Sequence, residues 1–457
     1  MKMNRNISIL MSMALLVSLM ACRTADNVSS APTAPEEEIS VSLEPDQPET
    51  PPVVVIEKSA LSDGDKAWIK QNLNDFAFRS APKVLTAEPE SDSPNILYSP
   101  AGLYLALSML GECSGGATDS EIMSLLQPVK QGVQSDMGKA LMKNMIFQNE
   151  NGRQIVKNSI WLAEDCEIVP DVQALLEERY SADIMELDLS NPQAMDEWAS
   201  GYMEGTLPER RDLGQDAVMV ITNLISFKDN WIVPFNKDNT VTEDFTLPNG
   251  ENQKADYMCA YSEGGFIQMG TFAAASYPFK NGSRIHFILP EEGVTPEELL
   301  ADSGTLSTAI DYSAGNQALV MPGCVSYKIP KTSFASTMNL SDSLKELGIQ
   351  SAFAGGLPAI VAPPDAVYMD EGGEEIADGG HPFVSGVFQD CYFEINEKGA
   401  LAEARTEIVI AAESEAEEVE ELPPLLELHL TRPFLFVITS PEGYVTFVGV
   451  VNNPAAE

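Results

Sequence analysis

The chain has 457 residues, 44% hydrophobic and 21% charged, enough to bury a core in one large fold or in two or three smaller ones. A formal net charge of −42 excludes a role built on nucleic-acid phosphates, which requires a basic face. The six cysteines show no C-x-x-C pair, and His286, His381 and His429 fall at no ligand spacing, so neither a metal nor a cofactor is expected.

The chain opens on Lys2 and Arg5, followed by an apolar run over residues 7–21. That run is too short to span a bilayer as a helix and suits the apolar region of an export signal. It ends in Leu19, Met20, Ala21 and Cys22, which resembles a bacterial lipobox. The resemblance implies cleavage before Cys22 and acylation of that residue. A signal peptide over 1–21 and lipid anchoring at Cys22 are therefore expected, with an ordinary signal and a chance cysteine as the alternative. The expected location is the bacterial outer membrane or the cell surface. Residues 22–58 are rich in Pro, Glu, Ser and Ala and read as a disordered acidic tether. The globular domain is placed at 59–457. Cys113, Cys166, Cys259, Cys324 and Cys391 are odd in number and scattered, which predicts buried free thiols, with a single bridge as the alternative.

Within the domain, Trp68, Ile69, Leu73, Phe76 and Ala77 fall at helical spacing. A second helix is predicted over 101–110, a strand over 155–162 and an amphipathic helix over 171–180. Residues 218–227 form a continuous apolar run, suited to a central strand covered on both faces. Residues 285–289 predict another strand, and 355–380, rich in Gly, Pro and acid, a loop. Helices gather early and strands late without a βαβ rhythm. That order predicts an α+β fold with large mixed or antiparallel sheets.

Residues 399–421 stand apart. Read with period two, Ala400, Ala402, Ala404, Thr406, Ile408 and Ile410 make one small or apolar face. Leu401, Glu403, Arg405, Glu407 and Val409 make the other. The segment then runs into 413–421, where six of nine residues are glutamate. Two readings fit: a strand that can be in or out of a sheet, or a permanent edge strand ending in a solvated loop.

Seven blocks, in order, resemble the serpin family. They are NILYSP at 95–100 with GAT at 116–118; NSIW at 158–161; TNLISFKDNW at 222–231 with Pro234 and Phe235; HFILPEEG at 286–293; and IPK at 329–331 with LKELGI at 344–349. FEINEKG at 393–399 resembles the hinge before the reactive loop. RPFLF at 432–436, Phe447, Gly449, Asn453 and Pro454 resemble the C-terminal signature.

The resemblance implies a serpin fold with three β-sheets, eight or nine helices and an exposed reactive-centre loop, here about 397–427. It implies a monomer that is no enzyme but an irreversible inhibitor of serine endopeptidases, or of cysteine endopeptidases. The protease cuts the loop, and the cut loop enters the main sheet and traps the acyl-enzyme. Glu397, Lys398, Gly399, Ala400, Ala402 and Ala404 correspond to the hinge; Ser99, Asn223, Trp231 and Gln389 to the shutter and breach. Counting seventeen residues from Glu397 puts the reactive bond at Glu413–Ser414, and sixteen puts it at Ala412–Glu413. The first suits a glutamyl-specific protease, the second an elastase-like one. Ala400 replaces the usual Thr or Ser, Arg405 a usual small residue and Gln389 a usual histidine. These departures keep open a non-inhibitory binding lipoprotein on the same scaffold.

Overall fold

The computed structural model describes residues 63–87, 93–127, 134–164, 166–189, 193–202, 217–302, 304–311, 319–361, 382–400 and 425–456. The predicted helices extend to Asp63–Leu85, Pro100–Cys113 and Pro170–Tyr180. Helix Pro100–Cys113 is buried on nearly every side, as expected of a helix apolar all round. Its start is fixed locally: the Ser99 hydroxyl accepts from the Gly102 N–H, and Pro100 sits where a missing N–H costs nothing.

The described residues hold nine α-helices and three sheets, the α+β architecture expected. A nine-stranded sheet ends in Leu425–His429, which pairs in parallel with Val320–Pro330. A two-stranded sheet joins Glu167–Ile168 to Ile360–Val361, a pairing within the stretch read from sequence as loop. None of the described helices is long and apolar enough to cross a membrane.

The seven-stranded sheet positions the site. Five strands run in the order Thr332–Asn339, Gly386–Ile395, Met219–Asn230, Gly152–Leu162, Phe147–Asn149; Ala182–Glu186 also pairs with Gly152–Leu162, and Gly399–Ala400 with Met219–Asn230. Met219–Asn230 is the predicted central strand, buried along almost its whole length. Ile221, Ile225 and Phe227 point into the main core. Val220 and Leu224 point the other way, toward Met195 and Ala199 of helix Gln193–Ser200. Strand alternation makes one strand serve two cores.

All five domain cysteines are free thiols. Cys113, Cys166 and Cys391 are buried as expected, but Cys259 and Cys324 are half-exposed. These two lie toward the rim of the nine-stranded sheet, on strands Asn252–Gln268 and Val320–Pro330, where one face is only thinly covered.

Candidate functional site

Strands Met219–Asn230 and Gly386–Ile395 run parallel and pair from Val220 with Gly386 to Ser226 with Tyr392. Beyond Tyr392 they part. The chain leaving Ile395 turns back on itself, with Asn396 bridged to Gly399. Gly399 and Ala400 then pair antiparallel with Asn230 and Asp229. The first residues of the predicted hinge thus already sit at the mouth of the gap.

The turn is clamped from one side. The carbonyls of Asn396, Glu397 and Lys398 each accept a hydrogen bond: from Trp231 Nε1 at 2.9 Å, the Phe235 N–H at 2.8 Å and the Trp231 N–H at 2.9 Å. Trp231 is fully buried, stacked on Phe279 at 4.4 Å and edge-on to Tyr277. The Glu397 carboxylate accepts from Thr240 Oγ1 at 2.9 Å and lies 3.3 Å from Lys331 Nζ. Burial raises its pKa, but its backbone N–H, Thr240 and the Lys331 charge outweigh burial and hold it below the usual carboxylate range. Gly399 has φ 147°, and a Cβ there would meet the Asp229 carbonyl at 2.3 Å. Only glycine fits both constraints.

Lower in the sheet, the structure brings together Ser99, Asn223 and Gln389, all buried. The Ser99 N–H donates to Gln389 Oε1 at 2.6 Å, and Gln389 Nε2 donates to the Ser99 carbonyl at 2.9 Å and to Asn223 Oδ1 at 3.3 Å. Asn223 Nδ2 passes the chain on to Asn158 Oδ1 at 2.8 Å, and Asn158 Nδ2 reaches the Tyr180 carbonyl at 2.9 Å. The Ser99 hydroxyl donates to the Thr446 carbonyl at 2.6 Å. These bonds tie three sheet strands to the start of the buried helix.

Sequence reasoning missed three members. Asn158 was legible as an amide flanked by Lys157 and Ser159 in the strand predicted over 155–162. Gly102 was not: a Cβ there would meet Asn223 Oδ1 at 2.0 Å, a clash that no spacing reveals. Asp229 is buried at the hinge contact, and Asn281 holds both its oxygens, through its N–H at 3.2 Å and Nδ2 at 3.0 Å. Burial pushes its pKa up to about 7 against those hydrogen bonds.

Cys22, Ala402, Ala404, Ala412, Glu413, Ser414 and His381 lie outside the described residues, as does the side chain of Ala400. His286 lies 3.0 Å from Thr439 Oγ1, and His429 3.2 Å from Ser326 Oγ, both in the nine-stranded sheet.

The site is thus a parallel strand pair that opens onto a turn-back segment, above a buried amide network. The family profile Serpin (serine protease inhibitor) matches residues 71–454, and the chain belongs to that family. Members are generally protease inhibitors rather than enzymes, although some are non-inhibitory. It is 25% identical to Serpin-Z1C of Triticum aestivum, over 83% of this chain and 94% of that protein. It is 23% identical to an uncharacterized serpin-like protein of Methanosarcina acetivorans, over 80% and 83%. Among solved structures, the thermophilic serpin tengpin in its native state superposes with TM-score 0.68 at 22% identity, covering 87% of this chain and 96% of tengpin. Human thyroxine-binding globulin complexed with its ligand superposes at 0.67 and 20% identity, covering 85% and 99%.

Proposed function

We propose that this chain is an irreversible suicide-substrate inhibitor of serine endopeptidases, or of cysteine endopeptidases, that traps the acyl-enzyme by inserting its cut loop into the seven-stranded sheet. One observation carries the reading: Gly399 and Ala400 are paired antiparallel to Met219–Asn230 at the point where its parallel neighbour departs. Continued down the strand, that register sets 402 opposite Phe227, 404 opposite Ile225, 406 opposite Asn223, 408 opposite Ile221 and 410 opposite Met219. The even-numbered residues, small or apolar apart from Thr406, would face the main core. Thr406 would meet the polar network. The strand is used up at Ile410, so the cut falls beyond it. That is compatible with Glu413–Ser414 and with Ala412–Glu413. A millionfold slowing of acyl-enzyme hydrolysis needs about 8 kcal/mol. Burying Ile408 and Ile410 supplies roughly 1.5–3 kcal/mol each, and the new strand's hydrogen bonds add to this.

The test incubates purified protein with a glutamyl-specific and an elastase-type protease. An SDS-stable covalent complex supports the reading. Clean cleavage without a complex favours a second one, a non-inhibitory binding lipoprotein. The observation on its side is an open cavity of about 780 Å³, lined among others by Lys70, Asn74, Arg284, His286, Ser307 and Thr439.

The same reading has the protein exported, cleaved before Cys22, acylated there and held at the outer membrane or cell surface by a tether over 22–58. Incorporation of labelled palmitate that disappears in Cys22→Ser tests this part.

A further inference from the structure

Asp229 stands at the end of strand Met219–Asn230 with its carboxyl fully buried. Amides answer it: Asn281 donates its backbone N–H at 3.2 Å to one oxygen and Nδ2 at 3.0 Å to the other. Asn281 is itself held. Its Oδ1 accepts from Asn149 Nδ2 at 2.7 Å, and Asn149 Oδ1 accepts from the N–H groups of Asn151 and Gly152. One carboxyl therefore gathers three pieces of chain: the strand end at 229–231, the turn after strand Phe272–Pro278, and the turn after strand Phe147–Asn149.

The hinge hangs on the same strand end. Two residues past Asp229, Trp231 donates its backbone N–H to the Lys398 carbonyl and Nε1 to the Asn396 carbonyl. Trp231 is also bridged to Phe279 and stacked on its ring. The Lys280 N–H donates to the Asn230 carbonyl, and Gly399 pairs with Asn230. Asp229 can reach water only if 229–231 parts from the turn at 279–282. That movement carries away the donors that hold the hinge.

The charges around the carboxyl come from each neighbouring element. Lys280, exposed on the turn, favours its ionised form through space. Lys228 alternates to the opposite face of the strand, directly across from Arg153. Glu150 is exposed at its hairpin tip. On the hinge, Glu397 is engaged by Thr240 and Lys331, and Lys398 is half-buried. Burial outweighs the amide hydrogen bonds and Lys280 and carries the Asp229 carboxyl up to about 7.

We propose that Asp229 is a proton-operated latch on the hinge: neutral, it keeps the turn at 396–399 docked, and ionised, it drives the strand end away from the turn at 279–282 and frees the hinge. The sign follows from linkage. A hydrated aspartate titrates near about 3.9, so the closed site binds the proton more tightly than the opened one and protonation favours closure. Opening therefore grows as pH rises from about 4 toward about 7 and levels off above. The latch is made of contacts in the uncut chain and stands whether or not a cut loop enters the sheet.

The experiment is hydrogen–deuterium exchange of the full chain from pH 5 to 8, each rate corrected for the intrinsic effect of pH on amide exchange. Peptides covering 229–236 and 393–400 should exchange faster as pH rises, by up to about tenfold per pH unit between 5 and 7, and then reach a plateau. Peptides from strand Phe434–Thr439 should show no such slope. Asp229→Asn, which keeps the site neutral, should stay protected at the hinge at every pH. Tryptophan fluorescence of wild type, which needs no variant, should change over the same range. Hinge protection in wild type that does not vary with pH would overturn the latch, as would a slope retained in Asp229→Asn. A parallel slope in Phe434–Thr439 would overturn it too, because the whole fold would then be loosening.

Discussion

Gln389 holds Ser99 at both ends of its amide, accepting from the Ser99 N–H and donating to the Ser99 carbonyl. The same Nε2 reaches Asn223 on the neighbouring strand, across the line that an inserted strand must open. The amide is therefore a strap between two strands as well as a link to the buried helix. Gln389→Leu leaves the Ser99 N–H without this acceptor in a dry site, a loss of about 1–3 kcal/mol. The uncut protein should unfold at lower temperature. An unchanged melting temperature would mean that the amide contributes nothing net.

Gly102 lies under this network, and its replacement tests how tightly the region is packed. Gly102→Ala would set a methyl 2.0 Å from Asn223 Oδ1, 2.7 Å from Ile225 Cδ1 and 2.9 Å from Gln389 Nε2. Overpacking of this kind costs about 1–3 kcal/mol or more. Gly270→Ala, which meets nothing within 4 Å, is the control and should stay within about 0.5 kcal/mol of wild type. Chemical denaturation of the two variants separates packing from any general intolerance of alanine.

Much of this was legible in the chain. The apolar run at 218–227 announces a strand buried on both faces, and the small-residue alternation from Ala400 announces a strand-like segment next to a solvated one. What pattern could not give was lateral adjacency. Strands Met219–Asn230 and Gly386–Ile395 are far apart in sequence, so that Leu224 faces Asp390 is a property of the parallel ladder alone. Asp229 was invisible for the same reason. Its burial depends on Asn281, on a hairpin remote from it in sequence, and a carboxylate beside Lys228 and Asn230 reads as surface.

Two buried groups give stability opposite pH dependences. Asp229 has its carboxyl raised by burial to about 7, so between pH 4 and 7 the unfolded chain loses this proton first. Its ionisation then opposes the fold, and stability falls as pH rises through that window. His286, nearly inaccessible and beside Arg284, is lowered to about 3, first by burial and then by that charge. Between pH 6.5 and 3 the unfolded chain takes up the proton first, so stability falls as pH drops. Wild type combines the two slopes. Asp229→Asn should remove the loss on the rising side, and His286→Gln the loss on the falling side. Denaturant midpoints measured from pH 4 to 8 would show this. A profile unchanged by Asp229→Asn would mean that the carboxyl titrates normally.

Ala402→Arg tests the facing of the loop itself. Continuing the ladders from Ala400 and Gly399 sets 402 opposite Phe227 on one side and Phe393 on the other. Both belong to the main core, and Phe393 is stacked on Phe436 at 4.3 Å. Alanine passes this point without a clash. Arginine would bring an unpaired charge among aromatic rings, at a cost of several kcal/mol. Insertion should slow below deacylation, so the variant should be cut and released rather than complexed. Its stoichiometry of inhibition should rise severalfold above wild type. Leu401→Ser, opposite the half-buried Lys228 and Glu394, should inhibit as wild type does. Titration of a trapped protease by the three proteins decides the matter. Equal stoichiometry for Ala402→Arg would reverse the face assigned to every residue from 400 to 410.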